Sequence, residues 1–226
     1  MPLSRRRHLI CLVTDRRRLS RSAPGVNLLD LIAGACRAGV DLIQIRERDL
    51  DGGALTGLVK QCVAAATGTS ARVVVNDRLD VALAAGAHGV HLRSDSIEAG
   101  RVREVSPAGF IIGRSVHGVE EAVAAERSGG LDYLILGTVF PTESKDPSHR
   151  LTTMTGLAAA SALVSIPVLA IGGITTARAE KIVKTGAAGI AAIGFFLPDQ
   201  STPLDQQMHA RVSELRRVFD TCEAVP

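Results

Sequence analysis

The sequence predicts an α/β protein of a single domain, residues 1–226, folded as a (β/α)8 barrel of the TIM type. Three observations carry that expectation. Short aliphatic runs recur along the chain, each followed by a longer stretch with helical spacing. Many of the runs are continuously apolar instead of alternating, which is the pattern of strands buried on both faces of a parallel sheet. Glycine-rich turns come late, after the seventh and eighth runs, where barrels of this class often bind phosphate. An open doubly wound sheet would place its glycine fingerprint after the first strand. Here the first run ends in Thr14-Asp15-Arg16-Arg17-Arg18.

The candidate strands, in order, are His8–Asp15, Asp41–Glu47, Ala71–Asp77, Gly89–Arg93, Phe110–Val116, Tyr133–Phe140, Pro167–Gly173 and Gly189–Phe196. Between the second and third, Leu55, Leu58, Val59, Cys62, Val63 and Ala66 recur at three and four residues and share one helical face. Val119, Ala122 and Val123 repeat that spacing on a glutamate-rich stretch. Thr175 is the expected N-cap of a helix over Ala177–Thr185, and Gly186 its stop. Leu204, Met208, Val212, Leu215 and Val218 outline a closing amphipathic helix. Eight strand–helix units fit the chain length if the loops are short.

Composition narrows the function classes. Hydrophobic residues make up 46% and charged residues 22%, enough for a core and too apolar for a disordered chain. With five Phe, one Tyr and no Trp, the core must be aliphatic and base-stacking platforms are poorly supported. A net charge of +3 does not argue for a nucleic-acid partner, and Arg16-Arg17-Arg18 with Arg21 reads as a solvated loop. Cys11, Cys36, Cys62 and Cys222 lack metal-binding spacing and are too sparse for a disulfide scaffold. The apolar stretch after the basic N-terminus is too short for a signal peptide, and no run approaches a membrane span; a cytoplasmic location is expected.

In a barrel the active site lies at the C-terminal ends of the strands, which turns those ends into candidates. Gln44, Arg46 and Arg48 alternate to one side of the second strand and favour an anion. Asn76-Asp77 ends the third strand, Ser94-Asp95-Ser96 follows the fourth, and Arg114-Ser115-Val116-His117 ends the fifth. His117, a histidine at a strand end, is a candidate for proton transfer. Asp77 and Asp95 could hold Mg2+ with phosphate oxygens, though two isolated carboxylates are a weak metal pattern. His8, His88, His91, His149 and His209 show no partner pattern and are read as structural. Thr142, Ser144 and Lys145 sit on a stretch, Thr142 to Thr155, expected to act as a lid. Gly172-Gly173 and Gly194 let backbone N–H groups approach a phosphate.

The ordered set Val13-Thr-Asp15, Gln44-Ile-Arg-Glu-Arg48, Val75-Asn-Asp-Arg78, Gly89-Val-His-Leu92, Gly113-Arg-Ser-Val-His117, Gly137-Thr-Val-Phe-Pro-Thr142, Lys145 and Ala170-Ile-Gly-Gly-Ile174 resembles the superfamily of thiamine phosphate synthase and thiazole tautomerase. The resemblance runs across nearly the whole chain. It implies a (β/α)8 barrel of thiamine biosynthesis acting on a phosphorylated thiazole, with no nucleic-acid or membrane partner and a homodimer as an allowed assembly.

The resemblance implies different roles in the two branches. A synthase joins hydroxymethylpyrimidine pyrophosphate to thiazole phosphate and releases pyrophosphate with Mg2+. Gln44, Arg46, Arg48, Asn76 and Lys145 would then hold the pyrophosphate, Asp77 one side of the metal, and Ser115 the pyrimidine. Thr142, Ser144, Gly172, Gly173 and Gly194 would line the thiazole phosphate pocket. A tautomerase needs no cofactor, only an acid–base group and a phosphate cradle, which His117 and the glycines could supply. Ser96 stands where the second metal carboxylate of a synthase is expected, and Gly194 where a phosphate-binding serine is. Arg46-Glu47-Arg48 and Gly113-Arg-Ser-Val-His117 lean toward the tautomerase; Asn76-Asp77 keeps the synthase form. The expectation drawn is a tautomerase-like proton-transfer enzyme. The synthase is the alternative, and a catalytically inactive phosphate-ligand-binding regulator is a third reading.

Overall fold

The computed structural model describes residues 8–142 and 151–223. Eight parallel strands, β1 (Leu9–Val13), β2 (Leu42–Ile45), β3 (Arg72–Asn76), β4 (Gly89–Leu92), β5 (Ile111–Val116), β6 (Tyr133–Gly137), β7 (Val168–Ile171) and β8 (Gly189–Ala192), close into a barrel in sequence order. The ring is sealed where β8 pairs with β1, with Ile10 opposite Ile190. Helices wrap it: α1 (Arg16–Ser22), α2 (Leu28–Ala38), α3 (Gly52–Ala66), α4 (Leu79–Ala84), α5 (Ala99–Val105), α6 (Val119–Ser128), α7 (Met154–Leu163), α8 (Thr176–Val183) and α9 (Leu204–Glu223).

The continuous apolar runs have a direct cause. Alternate residues of every strand except β4 enter two separate buried clusters. Cys11, Val13, Leu42, Val74, Ile111, Tyr133, Ile135, Leu169 and Ala191 fill the lumen. Ile10, Leu12, Ile43, Val73, Val75, Ile112, Leu134 and Ile190 pack outward against the helices. Both faces are dry, so neither needs polar residues.

Gly113 makes room for the lumen's largest occupant. A Cβ there would lie 2.1 Å from Cζ of Tyr133, whose ring is fully buried. Away from the site, Arg216 of α9 pairs with Asp41 at 2.6 Å. Asp41 in turn accepts from the Ile10 amide at 2.7 Å, tying the last helix to the start of the barrel.

The strands are shorter than the runs that announce them. β1 stops at Val13 because Asp15 turns to cap α1, accepting from the Arg18 amide at 2.9 Å. The stretch expected as a solvated arginine loop is therefore a helix. The last strand stops at Ala192, and Gly194–Phe196 forms a 3-10 turn instead of continuing to Phe196. Thr175 caps α8 as expected, by accepting from the Arg178 amide. Of the proposed lid, Ser144 and Lys145 lie outside the described residues; Thr152 is buried and donates to the His117 carbonyl at 2.9 Å. No helix among the described residues is long and apolar enough to cross a membrane.

Candidate active site

The C-terminal ends of the strands surround a cavity of about 830 Å3. On one wall Gln44 of β2 donates from Nε2 to Oδ1 of Asn76 on β3 at 2.9 Å, so two neutral amides stand side by side. Arg46 and Arg48 rise beside them into the same cavity. The Arg46 amide donates to the Thr14 hydroxyl at 2.9 Å, which fixes the chain just past the strand end. Burial, and secondarily the like charge of Arg48, lower the pKa of Arg46. An anion placed here would relieve that repulsion.

Glu47, between the two arginines, faces the opposite way and is buried. Its carboxylate accepts from the Arg16 amide at 3.2 Å on both oxygens. Burial raises its pKa against those hydrogen bonds, and its work is to hold the start of α1. Arg16 and Arg17 then pair with Asp49 at 2.5 and 2.9 Å. Arg18 and Arg21, three residues apart on one helical face, line the cavity.

The wall facing β3 across the barrel is glycine. Gly172 and Gly173 follow β7 with φ of 108° and 60°. A Cβ on Gly173 would lie 2.5 Å from the Pro141 carbonyl oxygen, so the turn demands glycine. Arg178 clamps it from behind, donating to the Gly173 carbonyl at 2.6 Å while its guanidinium lies 4.7 Å from the centre of the Phe140 ring. Gly194 completes this wall; a Cβ there would lie 3.6 Å from Nη2 of Arg18.

Between the walls, Ser115 bonds to Nε2 of His91 at 2.9 Å, and Nδ1 of His91 bonds to the Tyr133 hydroxyl at 3.0 Å. Burial, then the positive charge of Arg114, push the His91 pKa down to about 3. The ring is neutral and orients Ser115 at the cavity floor. His117 lines the cavity with its Nδ1–H donated to the Gly137 carbonyl at 2.8 Å.

The loop after β4 tests whether Mg2+ suits this site. Asp77 has a positive φ of 58° and accepts from the Ser96 hydroxyl. Arg93 bridges the two candidate metal carboxylates, with Nη2 2.5 Å from Asp95 and Nη1 3.6 Å from Asp77. Among the described residues no group of three or more His, Cys, Asp or Glu side chains is placed to hold a metal ion, and Mg2+ would have to rely on these two carboxylates with phosphate oxygens. A guanidinium thus occupies the space between the carboxylates. Asp77 and Asp95, the carboxylates expected to hold a metal in a synthase, both engage an arginine instead. The donor set does not fit the metal.

The structure brings Gln44, Arg46, Arg48, Asn76, Asp95, Ser115, His117, Thr142, Gly172, Gly173 and Gly194 to one cavity; Asp77 stands at its edge through Arg93. Four contributors escape the sequence reading. Arg18 and Arg21 are announced by their spacing once α1 is a helix. His91 shares the inward parity of Gly89 on β4. Arg93 pairs with its near neighbour Asp95 and reaches back to Asp77. Arg114 is among the strand-end candidates, but its targets are loop carbonyls that no local spacing reveals.

A sequence profile described as Thiamine monophosphate synthase matches residues 10–196. A protein of Geobacter sulfurreducens named putative thiamine-phosphate synthase is 39% identical over 188 residues, 83% of this chain and 86% of the relative. A thiamine-phosphate synthase of Methanoculleus marisnigri is 42% identical over 164 residues, covering 73% and 77%. The solved thiamine phosphate pyrophosphorylase of Pyrococcus furiosus superposes with a TM-score of 0.80 at 32% identity, over 96% of this chain and 98% of that one. These relatives overturn the expectation that leaned toward the tautomerase. Two of the residues behind that lean do structural work: Glu47 holds α1 and Arg114 holds the loop after β4. The chain belongs to the thiamine monophosphate synthase family.

Proposed function

We propose that this chain is a transferase that joins hydroxymethylpyrimidine pyrophosphate to thiazole phosphate and releases pyrophosphate. One observation supports the reading: an arginine- and amide-lined wall and a glycine wall share a single cavity. Asn76 ends β3 and Gly172-Gly173 follow β7, four strands away in the ring, while Arg46 and Arg48 follow β2 and Gly194 follows β8. A proton-transfer enzyme on one phosphate needs one cradle. A transferase between two phosphorylated substrates needs two.

In this reading Gln44, Arg46, Arg48 and Asn76 hold the pyrophosphate, and Lys145, outside the described residues, joins them by family resemblance. The methylene–oxygen bond breaks, pyrophosphate leaves with the bonding pair, and the thiazole supplies the pair for the new bond. Charge grows on the departing oxygens, so preorganised cations lower the barrier. The backbone of Gly172-Gly173 and Gly194, with Thr142 and the guanidinium of Arg18, binds the thiazole phosphate; Ser144 belongs to that set by resemblance. Arg18 supplies the donor that Gly194, having no hydroxyl, lacks. Ser115, oriented by neutral His91, meets the pyrimidine. His117, fixed through Nδ1, is assigned to holding substrate. Asp77 and Asp95 are engaged with Arg93 and Ser96 and do not offer Mg2+ an open site in this reading.

The test is direct. Purified protein is given both substrates, once with Mg2+ and once with EDTA, and thiamine phosphate and pyrophosphate are followed. Equal amounts of the two products are expected. Thiazole phosphate binding without either product in both conditions would refute the assignment in favour of a non-catalytic binder.

A further inference from the structure

The rim beside β4 holds a cation that belongs to the chain itself. Arg93 leaves the end of β4 with its guanidinium spread over two carboxylates, one nitrogen on Asp95 at 2.5 Å and the other 3.6 Å from Asp77. The remaining Asp77 oxygen accepts from the Ser96 hydroxyl, and Ser96 Oγ accepts from the Arg93 amide at 3.0 Å. The loop is pinned from below. Arg114, 7% exposed, donates to the carbonyls of Arg93, Ser94, Ser96 and Ile97. Arg93 and Arg114 together carry the charge of one divalent cation and balance Asp77 and Asp95. Half of the Arg93 side chain remains open, and it lines the cavity together with Arg46 and Arg48.

Mg2+ demands near-octahedral oxygen ligands and is usually held by one or two carboxylates, waters and phosphate oxygens. Entry here would require parting Arg93 from Asp95 and setting a dication beside the displaced guanidinium. A guanidinium also presents a planar fork of donors that matches phosphate oxygens. We propose that Arg93, held between Asp77 and Asp95, takes the place of a divalent cation at this rim and binds the pyrophosphate group directly, so that pyrophosphate binding depends little on Mg2+. The proposal rests on the transferase reading for the identity of the group bound.

The experiment measures binding of inorganic pyrophosphate to the full chain by calorimetry, in EDTA and in excess Mg2+. The wild-type Kd is expected to agree between the two conditions within about threefold. Arg93→Ala should weaken binding in EDTA by about tenfold or more, the loss expected for a charge-assisted hydrogen bond, and Arg93→Lys should recover part of it. Arg93→Gln keeps a hydrogen-bond donor toward Asp95 without the charge, and serves if the alanine variant does not fold. Arg93→Gly combined with Ser96→Asp removes the guanidinium and adds a carboxylate, and should make binding require Mg2+. Wild-type binding that needs Mg2+ overturns the proposal, as does undiminished metal-free binding by folded Arg93→Ala or Arg93→Gln. The two assignments fail separately. Turnover and pyrophosphate binding that both require Mg2+ keep the transferase and overturn the role of Arg93. Metal-free pyrophosphate binding that is lost in Arg93→Gln, without turnover, supports the role of Arg93 and overturns the transferase.

Discussion

A single methyl group added at Gly113 should unsettle both the barrel lumen and the floor of the site. The new Cβ would lie 2.1 Å from Cζ, 2.3 Å from Cε1 and 2.6 Å from the hydroxyl oxygen of Tyr133. Tyr133 is fully buried, so its ring has no open side to move into. Overpacking of this kind costs about 1–3 kcal/mol. If the displaced hydroxyl parts from Nδ1 of His91, the unpaired buried group adds about 1–3 kcal/mol. The sum, about 2–6 kcal/mol, corresponds to a fall in Tm of about 4–24 °C for a chain of this size. Thermal and denaturant unfolding of Gly113→Ala, Tyr133→Leu and the double variant measure it. Tyr133→Leu alone opens a cavity, but in the double variant the alanine methyl occupies part of that space. The two changes should therefore cost less together than their sum, by about 1 kcal/mol or more. A Gly113→Ala protein as stable as wild type, or strict additivity in the double variant, would refute the packing argument.

Other consequences are open to measurement. Burial pushes the His91 pKa in the folded protein down to about 3 from the ordinary 6.5, so the unfolded chain binds the extra proton first as pH falls. Stability should be full above pH 6.5 and decline toward pH 3, with a slope of up to about 1.4 kcal/mol per pH unit from this group; His91→Gln should flatten the decline in urea titrations at stepped pH. Arg18→Ala should raise KM for thiazole phosphate by about tenfold or more with a smaller effect on kcat, since it removes a charged donor to a non-reacting group; an unchanged KM removes Arg18 from the cradle. Burial pushes the thiols of Cys11, Cys36 and Cys62 up, to about 12 for Cys62. A thiol reagent on the native protein should therefore modify the partly exposed Cys222 first, as peptide mapping would show.

The barrel is legible in the sequence because its physical cause is local. When alternate residues of a strand enter two different dry clusters, the run is apolar throughout, and eight such runs leave few other architectures. Gln44, Arg46 and Arg48 are legible for the related reason that parity and strand-end position are properties of a short segment. The misses are matters of distance. α1 buries only Leu19 and is held by Glu47, 31 residues from Arg16, so its arginines look like a solvated loop in isolation. The partners of His91 lie 42 and 24 residues away on β6 and β5. Arg114 spends its donors on carbonyls 17 to 21 residues upstream. The branch is illegible on the same ground: residue type alone makes Arg46-Glu47-Arg48 look like one functional triplet, while the fold sends Glu47 to the scaffold.

The hydrocarbon filling of the lumen reaches beyond packing. Among the described residues Arg18, Arg21, Arg46, Arg48 and Arg93 stand at the mouth, outnumbering Asp15 and Asp95 there, while Leu9, Leu42, Ile111 and Leu169 fill the space beneath. Field lines spread poorly through such a low-dielectric plug and are driven outward into the solvent in front of the opening. A polyanion diffusing nearby is therefore steered toward the mouth before it touches any side chain. The association rate of pyrophosphate should be fast at low ionic strength and drop steeply as salt rises, while the dissociation rate changes much less.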